Sequence, residues 1–197
     1  MNTASTDEED AWAMKRLVGG QGTALNDLMD RHAERLFHFL LRNLRSEEDA
    51  ADLAQEAFVR VYLHRNHFNP SQRFSTWLYA IASNLLKDRY RWRSRHPESS
   101  IESEHPSTGA TLRENLSENG PLPSDDIEGK ERADTVRRAV QALPDDLRLP
   151  LILAEYEERS HDEIGRILGC STKAVETRIY RAKGLLRVQL SDLITRA

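Results

Sequence analysis

The chain of 197 residues has a single cysteine, Cys170, so it can form no internal disulfide and no multi-thiolate zinc site. It has no run approaching the ~18 consecutive apolar residues of a membrane-spanning helix. Its start is acidic (Asp7, Glu8, Glu9, Asp10), the wrong sign for a secretory signal. A cytosolic protein without membrane insertion is expected, held together by packing alone. The seven histidines are scattered, with no HExxH spacing and no cysteine partners, and there is no glycine-rich loop to cradle a phosphate. No metal, cofactor or catalytic centre is therefore expected, and the chain is not read as an enzyme. Strand-like alternation is also missing, which leaves an all-α fold class.

Proline is scarce and unevenly placed: Pro97, Pro106, Pro121 and Pro123 fall in one stretch rich in Ser, Glu and Asn. Hardly any large apolar residue interrupts it, so residues 97–128 read as a flexible linker between two small helical domains, 10–96 and 129–197. The 39% hydrophobic content is enough to give both a core.

The net charge of −4 hides a segregation. Residues 1–72 carry −4, 73–96 carry +5, 97–128 carry −7 and 129–197 carry +2. Two basic patches flanking an acidic tether suit a protein that grips a polyanion at two places and is elsewhere repelled by it.

Helical periods predict a short helix from Asp10 to Val18, closed by Gly19, Gly20 and Gly22, and a long one through Leu25, Leu28, Leu36, Phe39 and Asn43. Ser46 followed by Asp49 predicts a capping box opening a third, with Ala50, Leu53, Ala54, Ala57, Phe58 and Val61 buried, ending near Asn66. Loop chemistry covers Asn66–Arg73, and Ser75 can cap a fourth helix reaching about Arg95. After the tether, a helix Gly129–Ala142 is followed by one from Asp145 to Glu157, with Pro144 in its first turn and Pro150 inside, where a lost donor should bend or shorten it. A second capping box, Ser160 with Glu163, predicts a helix His161–Leu168. Gly169 stops it, and Ser171 caps a final helix reaching about Ile194.

The last two helices and the turn between them have the dimensions of a helix-turn-helix. Val175, Ile179, Ala182 and Leu186 form the buried stripe of the second. Lys173, Thr177, Tyr180 and Arg181 lie opposite, with Arg178 and Lys183 on the flanks. Such a face suits a major groove: Arg181 for guanine, Thr177 and Tyr180 for base edges or methyl groups, Lys173, Arg178 and Lys183 for phosphates. A solvated helical hairpin fits the charge pattern equally well. Cys170 reads as a small buried packing residue. On the helix 75–95, Trp77, Tyr79, Tyr90 and Trp92 interleave with Lys87, Arg89, Arg91, Arg93 and Arg95, a composition suited to single-stranded nucleic acid, although Trp77 and Tyr79 can instead finish the core, the account that periodicity favours for Trp77. Asp49, Asp52 and Glu56, with Gln55 and Arg60, share one face of the third helix, opposite its buried stripe; a solvated or protein-docking face fits them better than catalysis.

Two runs carry a family resemblance in the first half: DAADLAQEAF (Asp49–Phe58) and FSTWLYAIA (Phe74–Ala82). SHDEIGRIL (Ser160–Leu168) and STKAVETRIYRAK (Ser171–Lys183) carry it in the second. The chain resembles an extracytoplasmic-function (group 4) sigma factor of the sigma-70 family, with region 2 over 10–96 and region 4 over 129–197. The resemblance implies a bacterial initiation factor whose partners are core RNA polymerase, promoter DNA as duplex and single strand, and an anti-sigma factor. Asp49, Asp52, Gln55, Glu56 and Arg60 would dock on the polymerase. Asn69, Ser71, Arg73, Trp77, Asn84, Lys87, Asp88 and Arg91 would hold the opened minus-ten strand. Lys173, Thr177, Tyr180 and Arg181 would read the minus-thirty-five duplex, with Arg178 and Lys183 on its backbone. Pro150, Glu176 and the glycine-free loop Asn69–Gln72 depart from the family pattern. A stand-alone helix-turn-helix regulator is the alternative, and it leaves the aromatic and basic helix 75–95 without a use.

Overall fold

The structure, a computed structural model, describes residues 3–96, 127–191 and 193. The described residues form α-helices and one short 3-10 turn, with no strand among them. They fall into two compact units. Nearly all of the expected linker, 97–128, lies outside the described residues.

The first unit contains α1 (Thr3–Val18), α2 (Ala24–Leu44), α3 (Glu47–Leu63), the 3-10 turn Arg65–His67 and α4 (Phe74–Arg95). α2 is the hub, packed against α1, α3 and α4. Its buried row, Leu28, Leu36, Phe39, Leu40 and Leu44, follows the predicted period. The facing side of α3 is small, with Ala50, Ala51, Ala54 and Ala57 at 0–1% exposure, and small side chains let two helix axes approach closely. Phe58 and Val61 complete that face, Leu53, predicted with them, is only half-buried, and Leu78, Ala82 and Leu86 bring in α4.

Two helix starts of this unit differ from the sequence reading, and in the second unit the helix expected from Gly129 begins at Ile127. α1 begins at Thr3 rather than Asp10, because Asp10 is a buried partner and no start signal. It is 1% exposed, it accepts from Arg31 Nε at 2.8 Å, and its other oxygen lies 2.6 Å from His32 Nε2. α4 begins at Phe74, with extended Arg73 as N-cap and no side-chain cap. Phe74 packs against the rings of Phe68, Trp77 and His32. That contact draws the helix start forward and leaves Ser75 buried inside it, not capping it. Ser46 does cap α3 through the Asp49 N–H at 3.1 Å.

The second unit contains α5 (Ile127–Ala142), α6 (Asp145–Glu155), α7 (His161–Leu168) and α8 (Thr172–Gln189). α6 is central. Leu147, Leu149, Leu151, Ile152 and Leu153 bury it nearly all round, as a helix packed on both α7 and α8 requires. Pro144 is its N-cap, one position before the predicted first turn. The helix continues through Pro150 and ends two residues earlier than predicted; Pro150 deprives only the carbonyl of exposed Asp146 of its donor, where water can substitute. Arg148 is buried and donates to the carbonyl of Gln141 at 2.8 Å, satisfying an end of α5, while also pairing with Asp145. α8 runs regularly to Gln189, and its predicted end near Ile194 lies outside the described residues.

Candidate nucleic-acid and polymerase interfaces

The turn between α7 and α8 is built by local chemistry. Ser160 Oγ accepts the Glu163 N–H at 3.2 Å and Glu163 Oε2 accepts the Ser160 N–H at 3.1 Å, a complete capping box. Gly169 ends α7 at φ 69°, a left-handed position that a side chain disfavours. Ser171 Oγ then accepts the Ala174 N–H at 3.2 Å and starts α8. Gly165 has a different role: a Cβ there would stand 2.8 Å from the backbone oxygen of Cys170, so the close fold-back of the turn requires its absence.

Val175, Ile179 and Ala182 of α8 are buried as predicted, while Leu186, expected in the same stripe, is half-buried. Lys173, Thr177, Tyr180 and Arg181 stand together on the exposed side, with Tyr180 80% exposed. The Thr177 hydroxyl donates to the Lys173 carbonyl at 2.9 Å, which leaves its methyl group and lone pairs outward. Glu176 pairs with Lys173 at 3.3 Å. Arg178 and Lys183 are not part of this face. Arg178 is half-buried against the turn, its Nη1 3.6 Å from Cys170 Sγ, and Lys183 reaches back to Glu155 of α6 at 2.8 Å. Cys170 is half-buried rather than buried.

In the first unit, Asn84, Asp88 and Arg91 form an exposed row along α4 that begins at half-buried Trp77, with Lys87 half-buried beside it. At its start Trp77 clusters with the rings of Phe68 (centroids 5.2 Å) and Phe74 (6.3 Å, edge-on). The preceding loop exposes Asn69, Ser71 and Arg73. Asn69 Oδ1 accepts the Ser71 N–H at 3.0 Å, a turn made by side chain and backbone, and Arg73 Nε lies 3.0 Å from Asp7 of α1. Loop and row therefore lie on one side of the unit's last helix. The other aromatics have separate uses. Tyr79 is buried edge-on to Phe39 at 5.0 Å, the Tyr90 hydroxyl donates to the Asn43 carbonyl at 3.3 Å, and Trp92 stacks on His96 at 4.9 Å.

The acidic face of α3 is only partly as expected. Asp52, Gln55, Glu56 and Arg60 are half-buried on its outer side, Arg60 Nε bonding Glu56 at 2.8 Å. Asp49 is instead turned to α4, where Arg89 and Arg93 each bind one of its oxygens. The reading from sequence missed Val59 and Leu63, exposed at 43% and 63%, which continue the row of Asp52 and Glu56. Their offset from the buried stripe at the same helical spacing was the available signal.

Comparison with known proteins decides the assignment. The family model described as Sigma-70 region 2 matches residues 28–96, and Sigma-70, region 4 matches residues 133–186. The ECF RNA polymerase sigma factor SigW of Bacillus subtilis is 35% identical over 181 residues, covering 91% of this chain and 96% of that one. The chain belongs to the extracytoplasmic-function group of the sigma-70 family. This sigma factor is similar also to the RNA polymerase sigma-H factor of Pseudomonas aeruginosa, at 31% identity over 98% of this chain and 99% of that one. Among the solved structures that share its fold are two complexes. One is the sigma factor RpoE in complex with the anti-sigma factor NepR from Bartonella quintana, with TM-score 0.64 and 22% identity over 86% of this chain and 98% of that one. The other is CnrH in complex with the cytosolic domain of CnrY, with TM-score 0.62 and 24% identity over 93% and 98%. As a member of the family, the sigma factor partners core RNA polymerase and promoter DNA and directs transcription initiation. The stand-alone regulator is not favoured.

Proposed function

We propose the following division of labour within the sigma factor. The outer side of α3, with Asp52, Gln55, Glu56 and Arg60, docks on core polymerase. Val59 and Leu63 extend that side with apolar surface suited to burial in an interface. The loop Asn69, Ser71 and Arg73, with Trp77, Asn84, Lys87, Asp88 and Arg91, holds the opened minus-ten strand. Unstacked bases lose neighbouring π-faces and gain pocket and phosphate contacts in exchange. Thr177, Tyr180 and Arg181 read the minus-thirty-five duplex, with Lys173 beside them on its phosphates. Arg178 and Lys183 serve its backbone only after giving up their present partners.

The observation that carries this reading is the gathering of Lys173, Thr177, Tyr180 and Arg181 on one exposed side of α8, against a buried stripe that seats the helix. Exposed polar side chains on a firmly seated helix are what base-edge recognition needs. The protein acts without catalysis of its own, in the cytoplasm, with residues 97–126 as the joint between regions 2 and 4. The anti-sigma complexes of two structural relatives support an anti-sigma factor as a further partner.

The test is titration of the purified protein into fluorescently labelled core polymerase at two salt concentrations, followed by promoter-library DNA and nucleotides. Tight binding and transcripts from a defined subset of promoters are expected. DNA binding without polymerase binding would overturn the assigned roles of α3 and α4.

A further inference from the structure

Asp49 stands apart from the acidic row on α3. Its backbone N–H is held by the Ser46 cap, and its two carboxylate oxygens are taken by different guanidinium groups, Oδ1 by Arg89 and Oδ2 by Arg93. The Asp49 side chain is 13% exposed and the arginines 26% and 35%, so the pairs are largely withdrawn from water, where Coulomb attraction is stronger.

The place of this clamp along α4 gives it meaning. The last fully buried residue of α4 is Leu86. Residues 87–95 extend past that core and carry the distal half of the exposed row, Asp88 and Arg91. They are fastened from the opposite side: the Tyr90 hydroxyl to the Asn43 carbonyl of α2, and Arg89 and Arg93 to Asp49 of α3. A helix held on one flank at two successive turns cannot roll about its axis, so the direction in which Asp88 and Arg91 point is set from behind.

We propose that Asp49 is a positioning residue for strand recognition: by drawing Arg89 and Arg93 onto α3 it fixes the rotation of the distal turns of α4. It thereby orients Asp88 and Arg91 toward the opened strand and couples them to the helix that docks on polymerase. Asp49 itself touches neither polymerase nor DNA. The inference rests on the docking and strand-reading roles proposed above. A charge effect alone predicts something different: Asp49→Asn frees cationic charge beside the strand and would tighten DNA binding uniformly. Loss of position instead removes selectivity at particular bases.

The experiment uses the full chain assembled with core polymerase, comparing wild type, Asp49→Asn, the Arg89→Gln/Arg93→Gln pair and the combination of all three. Each is titrated against core polymerase, then used to select from a single-stranded library randomised over the minus-ten element. Asp88→Ala and Arg91→Ala map the bases read by the distal row, and Asn69→Ala maps those read by the loop. Asp49→Asn is expected to keep core affinity within about twofold. It should lower base preference about tenfold at the distal positions, leave it intact at the loop positions, and add nothing on the arginine-substituted background. A large loss of core affinity would make Asp49 a polymerase contact. Equal loss at all bases would make its role generally structural, and uniformly tighter binding would reduce it to charge. Each of these overturns the proposal. If Asp88→Ala and Arg91→Ala change no preference, the strand-reading role of the row itself falls. If Asp52→Lys/Glu56→Lys keeps full core affinity, the docking role of α3 falls; the library result for Asp49 can be read independently of that.

Discussion

Arg181 and Asp10 illustrate two opposite kinds of charged residue in this protein. Arg181 is exposed on the side of α8 proposed to read DNA, where its guanidinium geometry matches the two acceptors of guanine. Arg181→Ala should leave the fold unchanged and cost about 1–3 kcal/mol of discrimination at one minus-thirty-five base pair. Competition binding across single-base promoter variants measures this, and an unchanged ranking would remove Arg181 from the readers. Asp10 is 1% exposed between Arg31 and His32. Asp10→Asn leaves Arg31 short of its charged acceptor and should lower the stability of the first unit by about 2–3 kcal/mol. The three tryptophans, Trp12, Trp77 and Trp92, all lie in that unit, so urea unfolding followed by tryptophan fluorescence reports it alone. A midpoint equal to wild type would show that the buried pair contributes nothing net.

At the scale of elements, the turn between α7 and α8 is the most exacting construction in the second unit. Gly165→Ala places a methyl group 2.8 Å from the Cys170 carbonyl, and a backbone oxygen cannot swing aside as a flexible side chain can. The turn must open, at a loss of about 1–3 kcal/mol, and minus-thirty-five binding should weaken because α8 is reseated. Circular dichroism melting, together with a promoter-binding titration, checks both effects; an unaltered melt would mean that the turn has slack. This turn was also the most legible part of the sequence. Its caps, Ser160 with Glu163 and Ser171 with Ala174, and its stop, Gly169 with Gly165, each bond within four residues, so spacing alone located them. The buried stripes of α2, α3 and α8 were legible for a similar reason, helical periodicity. What escaped was long-range. Asp10 meets residues 21 and 22 positions away, and Asp49 meets residues 40 and 44 positions away. A local pattern therefore assigned the first to a helix start and the second to an open face. The start of α4 was misplaced onto Ser75 because the packing of Phe74 against Phe68 and His32 is likewise invisible to a capping rule.

For the whole molecule, the segregated charge governs how DNA is found and held. With a net charge of −4, the free sigma factor should bind DNA weakly. Its basic segments gain effect once polymerase aligns them with the promoter. Promoter affinity of the assembled complex should fall linearly with the logarithm of salt concentration. Lys173→Ala should reduce that slope by about one unit while weakening all promoters alike, in contrast to the base-specific effect of Arg181→Ala. Filter binding over a salt series separates the two, and an unchanged slope would leave Lys173 outside the phosphate contacts.

The arrangement of α8 has a consequence for how such a protein changes over generations. Val175, Ile179 and Ala182 seat the helix, while Lys173, Thr177, Tyr180 and Arg181 project from it without supporting the core. Exchanges at exposed positions typically shift stability by about half a kilocalorie per mole or less. On the reading role proposed for these side chains, promoter preference can be rewritten one side chain at a time on an unchanged framework, so a duplicated copy can acquire a new set of target genes without passing through an unfolded intermediate.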